Sequence, residues 1–365
     1  MEFALSPEQH ALQDSVERTL ADLAPLERVR RFAETSESVA RDVWRGLAEL
    51  GVAGVLIDEA HGGSALGALD AALIAESLGR HVTPAPFLGS AVIAPLALKG
   101  AGSAAQQDRW LPKLAAGEAI AGAAIGEGIS GAREGAGVSA EAGKLSGKAL
   151  FVIDAAEADL FVVADRAGGL HLVAGDAPGL TRTSLTTIDL TRRLGELSFD
   201  KAPAEPLTAG DPTATLTRVR DGAWTMLAAD TLGAASRMLE MAVAYAQERR
   251  QFGRLIGSFQ AVKHLCAEMA AELEPCRSLV WYAGYALDEL PAEASLTAAH
   301  AKAHLSEVGR FVARTATEVH GGIGFTDLLG LHYWFKRIGL DRQLLGGPER
   351  VRALAAAMQG WGNAA

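Results

Sequence analysis

Arg249, Phe252, Gly253 and Gln260 are the residues whose types and spacing most plainly suggest chemistry. They lie in Ala244-Tyr-Ala-Gln-Glu-Arg-Arg-Gln-Phe-Gly-Arg-Leu-Ile-Gly-Ser-Phe-Gln-Ala-Val-Lys-His264, which reads as a helix, a tight turn and a second helix. A guanidinium fork binds phosphate oxygens bidentately, and Arg250 adds a second positive charge. With a ring and an amide close by, the set suits a cofactor that is both phosphate-rich and aromatic. The plain alternative is a solvated helix end, and for Gly321-Gly322 an ordinary loop. His320, just before those glycines, fits either cofactor contact or packing. Other chemistries find less support. His61, His81 and His171 stand apart and form no metal-ligand pattern. No Gly-x-Ser-x-Gly elbow occurs. Gly126-x-Gly-x-x-Gly131 matches a dinucleotide loop literally, but no following helix or downstream acid is expected there. Cys266 and Cys276 are ten positions apart in one predicted helix, roughly 15 Å along its axis. That rules out a mutual disulfide while the helix is intact, so reduced, buried thiols are expected.

The elements that must carry these residues fall into three stretches. The chain has 365 residues, 49% of them hydrophobic, so two or three domains with a large core are feasible. Net charge is −10, which attracts neither nucleic acid nor an anionic membrane and suits an acidic cytoplasmic enzyme. No apolar run reaches the ~18 residues of a membrane span. The stretch Met1 to Gln9 carries acids rather than a basic segment and does not read as a signal peptide. Residues 1–119 read as helical. Ser6-Pro7 opens the first helix, and runs follow at Leu12–Leu23, Trp44–Leu50, Leu66–Leu78 and Leu88–Leu98. Residues 120–210 read as a small antiparallel sheet or barrel, with strands at Ala149–Ile153, Leu160–Ala164, Leu170–Val173 and Glu196–Phe199. Residues 211–365 read as a helical bundle: Thr213–Arg249, Phe259–Leu290, Ser295–Val319, and a last helix from Pro348 to about Met358.

That order of parts resembles the acyl-CoA dehydrogenase family over essentially the whole chain. The resemblance is carried by Leu47-Ala-Glu-Leu-Gly-Val-Ala-Gly54, Glu59-Ala-His-Gly-Gly63, Ala75-Glu-Ser-Leu-Gly79, the Arg249–Gln260 segment and Glu318-Val-His-Gly-Gly-Ile-Gly-Phe325. It implies a mostly α fold with an N-terminal helical domain, a small β-barrel domain and a C-terminal four-helix bundle. It also implies FAD-dependent α,β-dehydrogenation of an acyl-CoA thioester. A carboxylate takes the α-proton while the β-hydrogen leaves as hydride to the flavin, and electrons pass to an electron-transfer flavoprotein. The α-proton is weakly acidic, so a positioned base and hydrogen bonds to the thioester carbonyl are both needed. By resemblance Arg249 contacts the FAD pyrophosphate of a neighbouring subunit, Phe252 packs on the cofactor and Gln260 hydrogen-bonds it. Gly321 and Gly322 bring backbone N–H groups to the same phosphates. Glu318 stands where the family usually has Gln, which sets an acid near phosphate.

The rest of the family's site departs from pattern. Its Tyr-Glu-Gly-Thr base aligns with Leu344-Leu-Gly-Gly-Pro348, placing Gly346 where Glu belongs. Relatives that keep the base on the first bundle helix would have it at Ala223. Weak substitutes are Glu349 and Asp230, the latter better suited to an ion pair. Trp224 stands where many relatives have Arg and fits as a pocket filler. The flavin-contacting Thr-Glu-Pro-Gly-x-Gly-Ser run corresponds to Gly126-Glu-Gly-Ile-Ser-Gly-Ala132, without its hydroxyl and proline. The aromatic-x-Thr-Asn pattern reads Phe151-Val-Ile-Asp154: Phe151 can stack, but Ile153 cannot donate. One such lost hydrogen bond costs about 0.5–1.5 kcal/mol. The chain thus keeps what it would lend to a neighbour's FAD and loses much of what it would use itself. It resembles the non-catalytic partner subunit of some heterotetrameric dehydrogenases, notably bacterial ones acting on steroid side chains. Two rivals remain: an active homotetramer with a displaced base, and a flavin monooxygenase or oxidase on the same scaffold.

Overall fold

A computed structural model describes residues 4–35 and 37–362, so the first three residues of the acidic N-terminal stretch lie outside the described residues. Helix α1 (Pro7–Leu23) begins at a reciprocal cap, in which Gln9 N–H donates to Ser6 Oγ and Ser6 N–H to Gln9 Oε1. Helices α2 (Leu26–Glu34), α3 (Arg41–Glu49) and α4 (Ala68–Arg80) follow. A π-helical turn, Leu88–Ile93, runs into α5 (Ala94–Ala101), and α6 (Ala104–Ala115) completes this region.

Strands β1 (Ala121–Ala124), β2 (Gly137–Glu141), β3 (Lys144–Ile153), β4 (Leu160–Ala164), β5 (Leu170–Ala174), β6 (Leu180–Leu185), β7 (Leu194–Pro203) and β8 (Glu205–Pro206) make one sheet in the order β6-β7-β3-β1-β4-β5-β8, with β2 also on β3. The expected antiparallel sheet is in fact mixed, because β1 and β4 pair in parallel. A five-residue helix, α7 (Gly126–Ser130), does follow β1, contrary to the expectation at that glycine run. One turn is too short for a dinucleotide-binding βαβ unit. Strand β4 shows why the sheet has no wet face at its centre. Leu160, Val162 and Ala164 join the core shared with the helices, whereas Phe161 and Val163 join a second core with Leu145, Leu197 and Phe199. Both alternating faces are buried, so the strand reads as a continuous apolar run.

Helix α8 (Pro212–Glu248) follows Asp211, whose carboxylate accepts from Thr213 N–H and Ala214 N–H. A hairpin of β9 (Arg250–Gln251) and β10 (Arg254–Leu255) leads to α9 (Gln260–Glu289), α10 (Pro291–His320), α11 (Leu331–Gln343) and α12 (Pro348–Met358). Helices α8, α9 and α10 pack on one another, α4 lies across α8, and α11 and α12 lean on α10. No described helix is long and apolar enough to cross a membrane. Cys276 is buried and Cys266 only half-buried, and both thiols are free.

Candidate functional site

The structure gathers the predicted residues at two separate places. The first is a cavity of about 480 Å³ between the sheet and the end of α11, lined by the Gly126–Arg133 loop, Leu150, Phe151 and Leu344–Gly347. It unites three stretches the sequence singled out: the glycine run after β1, the aromatic of β3 and the loop where a base is expected. The register of β3 against β7 slips between Ala149 and Val152, and within that bulge Phe151 takes φ +53°. The bulge aims Phe151 at the cavity. Ile153, two residues on, is 1% exposed and packs in the helix-side core, so it does not line the cavity.

Glu127 is the one acid that lines the cavity. Glu127 Oε1 accepts from Leu150 N–H at 2.8 Å, which fastens the loop to β3. Gly346 is buried with φ +115°, a conformation that glycine tolerates and a side chain resists. Its loop is held by Trp224, whose indole N–H donates to Leu345 C=O at 2.9 Å. Trp224 thus fills space beside Gly346, while Ala223 is fully buried in α8. Glu349 lies outside the cavity lining and pairs with Arg342 at 3.1 Å. Its own backbone N–H first, and Arg342 with it, hold its carboxyl below the usual range.

Asp230 is also remote from the cavity lining. It is buried and meets Arg192 at 2.9 Å and Arg337 at 3.2 Å. Arg337 also donates to Asp189 at 2.9 Å, to Thr83 C=O and to Thr191. Arg192 reaches Asp341, and Lys302 donates to the Asp341 carbonyl. One buried charge network therefore ties the loop after α4, the β6–β7 connection, α8, α10 and α11 together. Asp230 has an ion-pair role there. Near these arginines, burial pushes the Asp154 carboxyl up to about 7. No sequence pattern pointed to this network, since its members are scattered from residue 83 to residue 341.

The second place is an open surface. At the β9–β10 turn, Phe252 and Gly253 both have positive φ, as a two-residue hairpin with a type I′ turn requires. The turn leaves Phe252 92% exposed. Arg249 caps the end of α8 with its side chain in solvent, and Gln260 opens α9, also exposed. Neither side chain makes a hydrogen bond or ion pair among the described residues. Glu318, Gly321 and Gly322 are exposed, and a Cβ placed on either glycine would meet nothing within 4 Å. The stacked rings of Tyr245 and His320, 4.8 Å between centroids, join this turn to the Arg249 segment. His320 Nδ1–H donates to Ala316 C=O at 2.7 Å, and burial lowers the ring's pKa, so a neutral imidazole stacks there.

The cavity fits a flavin poorly on its own account. Arg133 covers the Phe151 ring, its guanidinium carbon 4.6 Å from the centroid. Arg350 approaches the Gly131 turn, where an added Cβ would lie 3.3 Å from its Nη2. Arg133 and Arg350 were not anticipated from the sequence. The open surface fits the opposite description: a cation, a ring, an amide and bare backbone are all available to something outside this chain. His61, His81 and His171 each meet one carboxylate, Asp108, Glu17 and Asp165 respectively. No group of metal-ligating side chains occurs among the described residues.

Residues 6–118 match the family model of the acyl-CoA dehydrogenase N-terminal domain, and residues 221–360 that of the C-terminal domain. Among characterised proteins the chain is similar to acyl-CoA dehydrogenase IpdE2 of Mycolicibacterium smegmatis, with 32% identity over 96% of this chain and 99% of the relative. It is similar to acyl-CoA dehydrogenase FadE27 of Mycobacterium tuberculosis, with 28% identity over 95% of each. Two solved complexes contain similar chains. One is a Tcur3481–Tcur3483 steroid ACAD variant, at 31% identity and a TM-score of 0.87 over 97% of this chain and 98% of that one. The other is the ChsE4–ChsE5 complex of Mycobacterium tuberculosis, at 27% identity and a TM-score of 0.90 over 100% of both.

Proposed function

Because the chain belongs to the acyl-CoA dehydrogenase family, we propose that it works as the partner subunit of a heteromeric, FAD-dependent acyl-CoA dehydrogenase. It presents its open surface to a cofactor held mainly by a homologous subunit and carries no base of its own. The family is one of flavoproteins, and bound FAD supplies the hydride acceptor for α,β-dehydrogenation. In this reading Arg249 grips pyrophosphate oxygens, Phe252 packs on the cofactor and Gln260 hydrogen-bonds it. Gly321 and Gly322 let backbone N–H groups close on the same phosphates. The Tyr245–His320 stack keeps the two grips in register.

The observation that carries the reading is Gly346. By resemblance it stands where the family's base belongs; its backbone is at φ +115°, and the cavity's one lining carboxylate, Glu127, accepts from a backbone N–H. Two similar chains come from complexes named as pairs, which supports a heteromer over a homotetramer. One of those complexes is a steroid ACAD by name, which favours a steroid-derived acyl-CoA as substrate of the pair. Transfer of electrons to an electron-transfer flavoprotein and a cytoplasmic setting complete the proposal. So does a functional division near residues 119 and 210, which leaves the open surface wholly in the last part.

Flavin stoichiometry tests it. The isolated chain is expected to carry almost no FAD, and the pair formed with the product of an adjacent homologous gene one FAD per two chains. Dehydrogenase activity of the pure chain as a homotetramer, with one FAD each, would overturn the proposal. Asp230→Asn and Glu349→Gln should leave turnover of the pair unchanged where it folds; a hundredfold loss would revive a displaced base.

A further inference from the structure

We infer that the cavity around Gly346 binds an amphipathic carboxylate, held by Arg133, Arg350 and Ser130. The inference rests on the reading that this chain's own flavin half-site has been given up.

Three polar groups converge on that space without partners of their own. Arg133 and Arg350 line it and make no hydrogen bond or ion pair among the described residues. Arg133 lies over the Phe151 ring, which holds the guanidinium face while leaving its N–H groups free to donate. Ser130 Oγ is buried and has no hydrogen-bond partner. It points at the missing side chain of Gly346, since a Cβ built there would lie 3.2 Å from it. A buried hydroxyl without a partner marks a position where an acceptor is expected.

The charge balance selects an anion. Glu127 lines the same space, but its Oε1 is engaged by Leu150 N–H, so two guanidinium groups face one carboxylate already in use. The rest of the lining selects an apolar body: Leu150, Leu194, Leu340 and Leu344 surround the cavity. Its volume of about 480 Å³ falls in the usual range for small-molecule sites, roughly 300–1,000 Å³. A carboxylate at the arginines and Ser130, with a fused-ring or branched apolar body along the leucines, satisfies every unpartnered group at once. Arg133 stacked on Phe151 denies that ring to an isoalloxazine, which distinguishes the inferred ligand from the family's cofactor.

Calorimetric titration of the isolated chain with 2-naphthoate tests this, using 2-naphthylmethanol, inorganic phosphate and FAD as parallel titrants. The expected result is one naphthoate per chain, with the neutral alcohol at least about tenfold weaker and phosphate failing to compete. Arg133→Ala and Arg350→Ala should each weaken naphthoate about tenfold with an unchanged melting temperature. Ser130→Ala should weaken it less, and Arg109→Ala, far from the cavity, not at all. Equal binding of acid and alcohol, or competition by phosphate alone, would overturn the inference. If neither naphthoate nor FAD binds, the inference fails and the partner-subunit proposal stands. If FAD binds one per chain and displaces naphthoate, it is that proposal which falls.

Discussion

The cavity around Gly346 and the surface around Arg249 differ in how their polar groups are arranged. Around the cavity Glu127 and Trp224 are tied down, while Arg133 and Arg350 stay exposed without partners among the described residues. Glu127 is tied to a backbone N–H and Trp224 to Leu345. At the surface Arg249, Phe252 and Gln260 are exposed, and neither Arg249 nor Gln260 has a partner among the described residues. Free guanidinium, ring and amide groups cost little in water, whereas the same groups buried without partners would cost about 1–3 kcal/mol each. A phosphate grip at such a surface would therefore need no internal partner to be tolerated.

That contrast can be attacked from several sides. If the charge network closes the inner region, Arg337→Ala should be the most damaging change, leaving Asp189 buried without its cation and Asp230 with Arg192 alone. A loss of about 3–5 kcal/mol in chemical denaturation is expected, and a loss under about 1 kcal/mol would refute the role given to the network. Asp154 tests the same region through pH. Its folded pKa of about 7 lies above the ordinary 3.8, so the native state binds the extra proton. Stability from this group is full below about pH 4 and falls as pH rises toward 7, by about 1.4 kcal/mol per unit. Asp154→Asn should remove that slope, and the variant should gain most over the parent at pH 8. Parallel curves would refute it.

At the surface the expected losses are smaller and of another kind. Arg249→Ala should leave the chain's stability within about 0.5 kcal/mol. In the pair it should weaken flavin retention roughly tenfold to a hundredfold, and Arg249→Lys should restore only part. Destabilisation of the free chain instead would make Arg249 structural. Gly346→Glu should cost about 1–3 kcal/mol through backbone strain and confer no dehydrogenase activity on the isolated chain, as a turnover assay would reveal.

Legibility in the sequence followed the range of the interactions involved. Strand Leu160–Ala164 and helix Pro348–Met358 have the bounds their local signals predict, an apolar run for the first and Pro at N1 for the second. Strand Ala121–Ala124 reads Ala-Gly-Ala-Ala and carries no β signal. Its conformation comes from pairing with β3 and β4, which local propensity cannot reveal. Helix α11 passed unread, although Leu331, Trp334 and Ile338 recur at helical spacing, because polar residues surround them. The aromatic Phe151 and the glycine at 346 were legible as cavity residues by resemblance. Arg133 and Arg350 were not, since their importance lies in meeting across more than two hundred residues of chain.

One nucleotide turns either of two glycine codons into a glutamate codon, so placing an acid at position 346 looks like a short evolutionary step. The φ of +115° makes it a long one. The new residue would arrive on a loop already set by Leu345 at φ +56° and by the Trp224 indole, and it would meet Ser130. Several coordinated changes would have to precede any benefit. If the chain works as a partner subunit, a lineage carrying this loop depends on a second gene, and that dependence is written in a backbone angle as well as in an absent carboxylate.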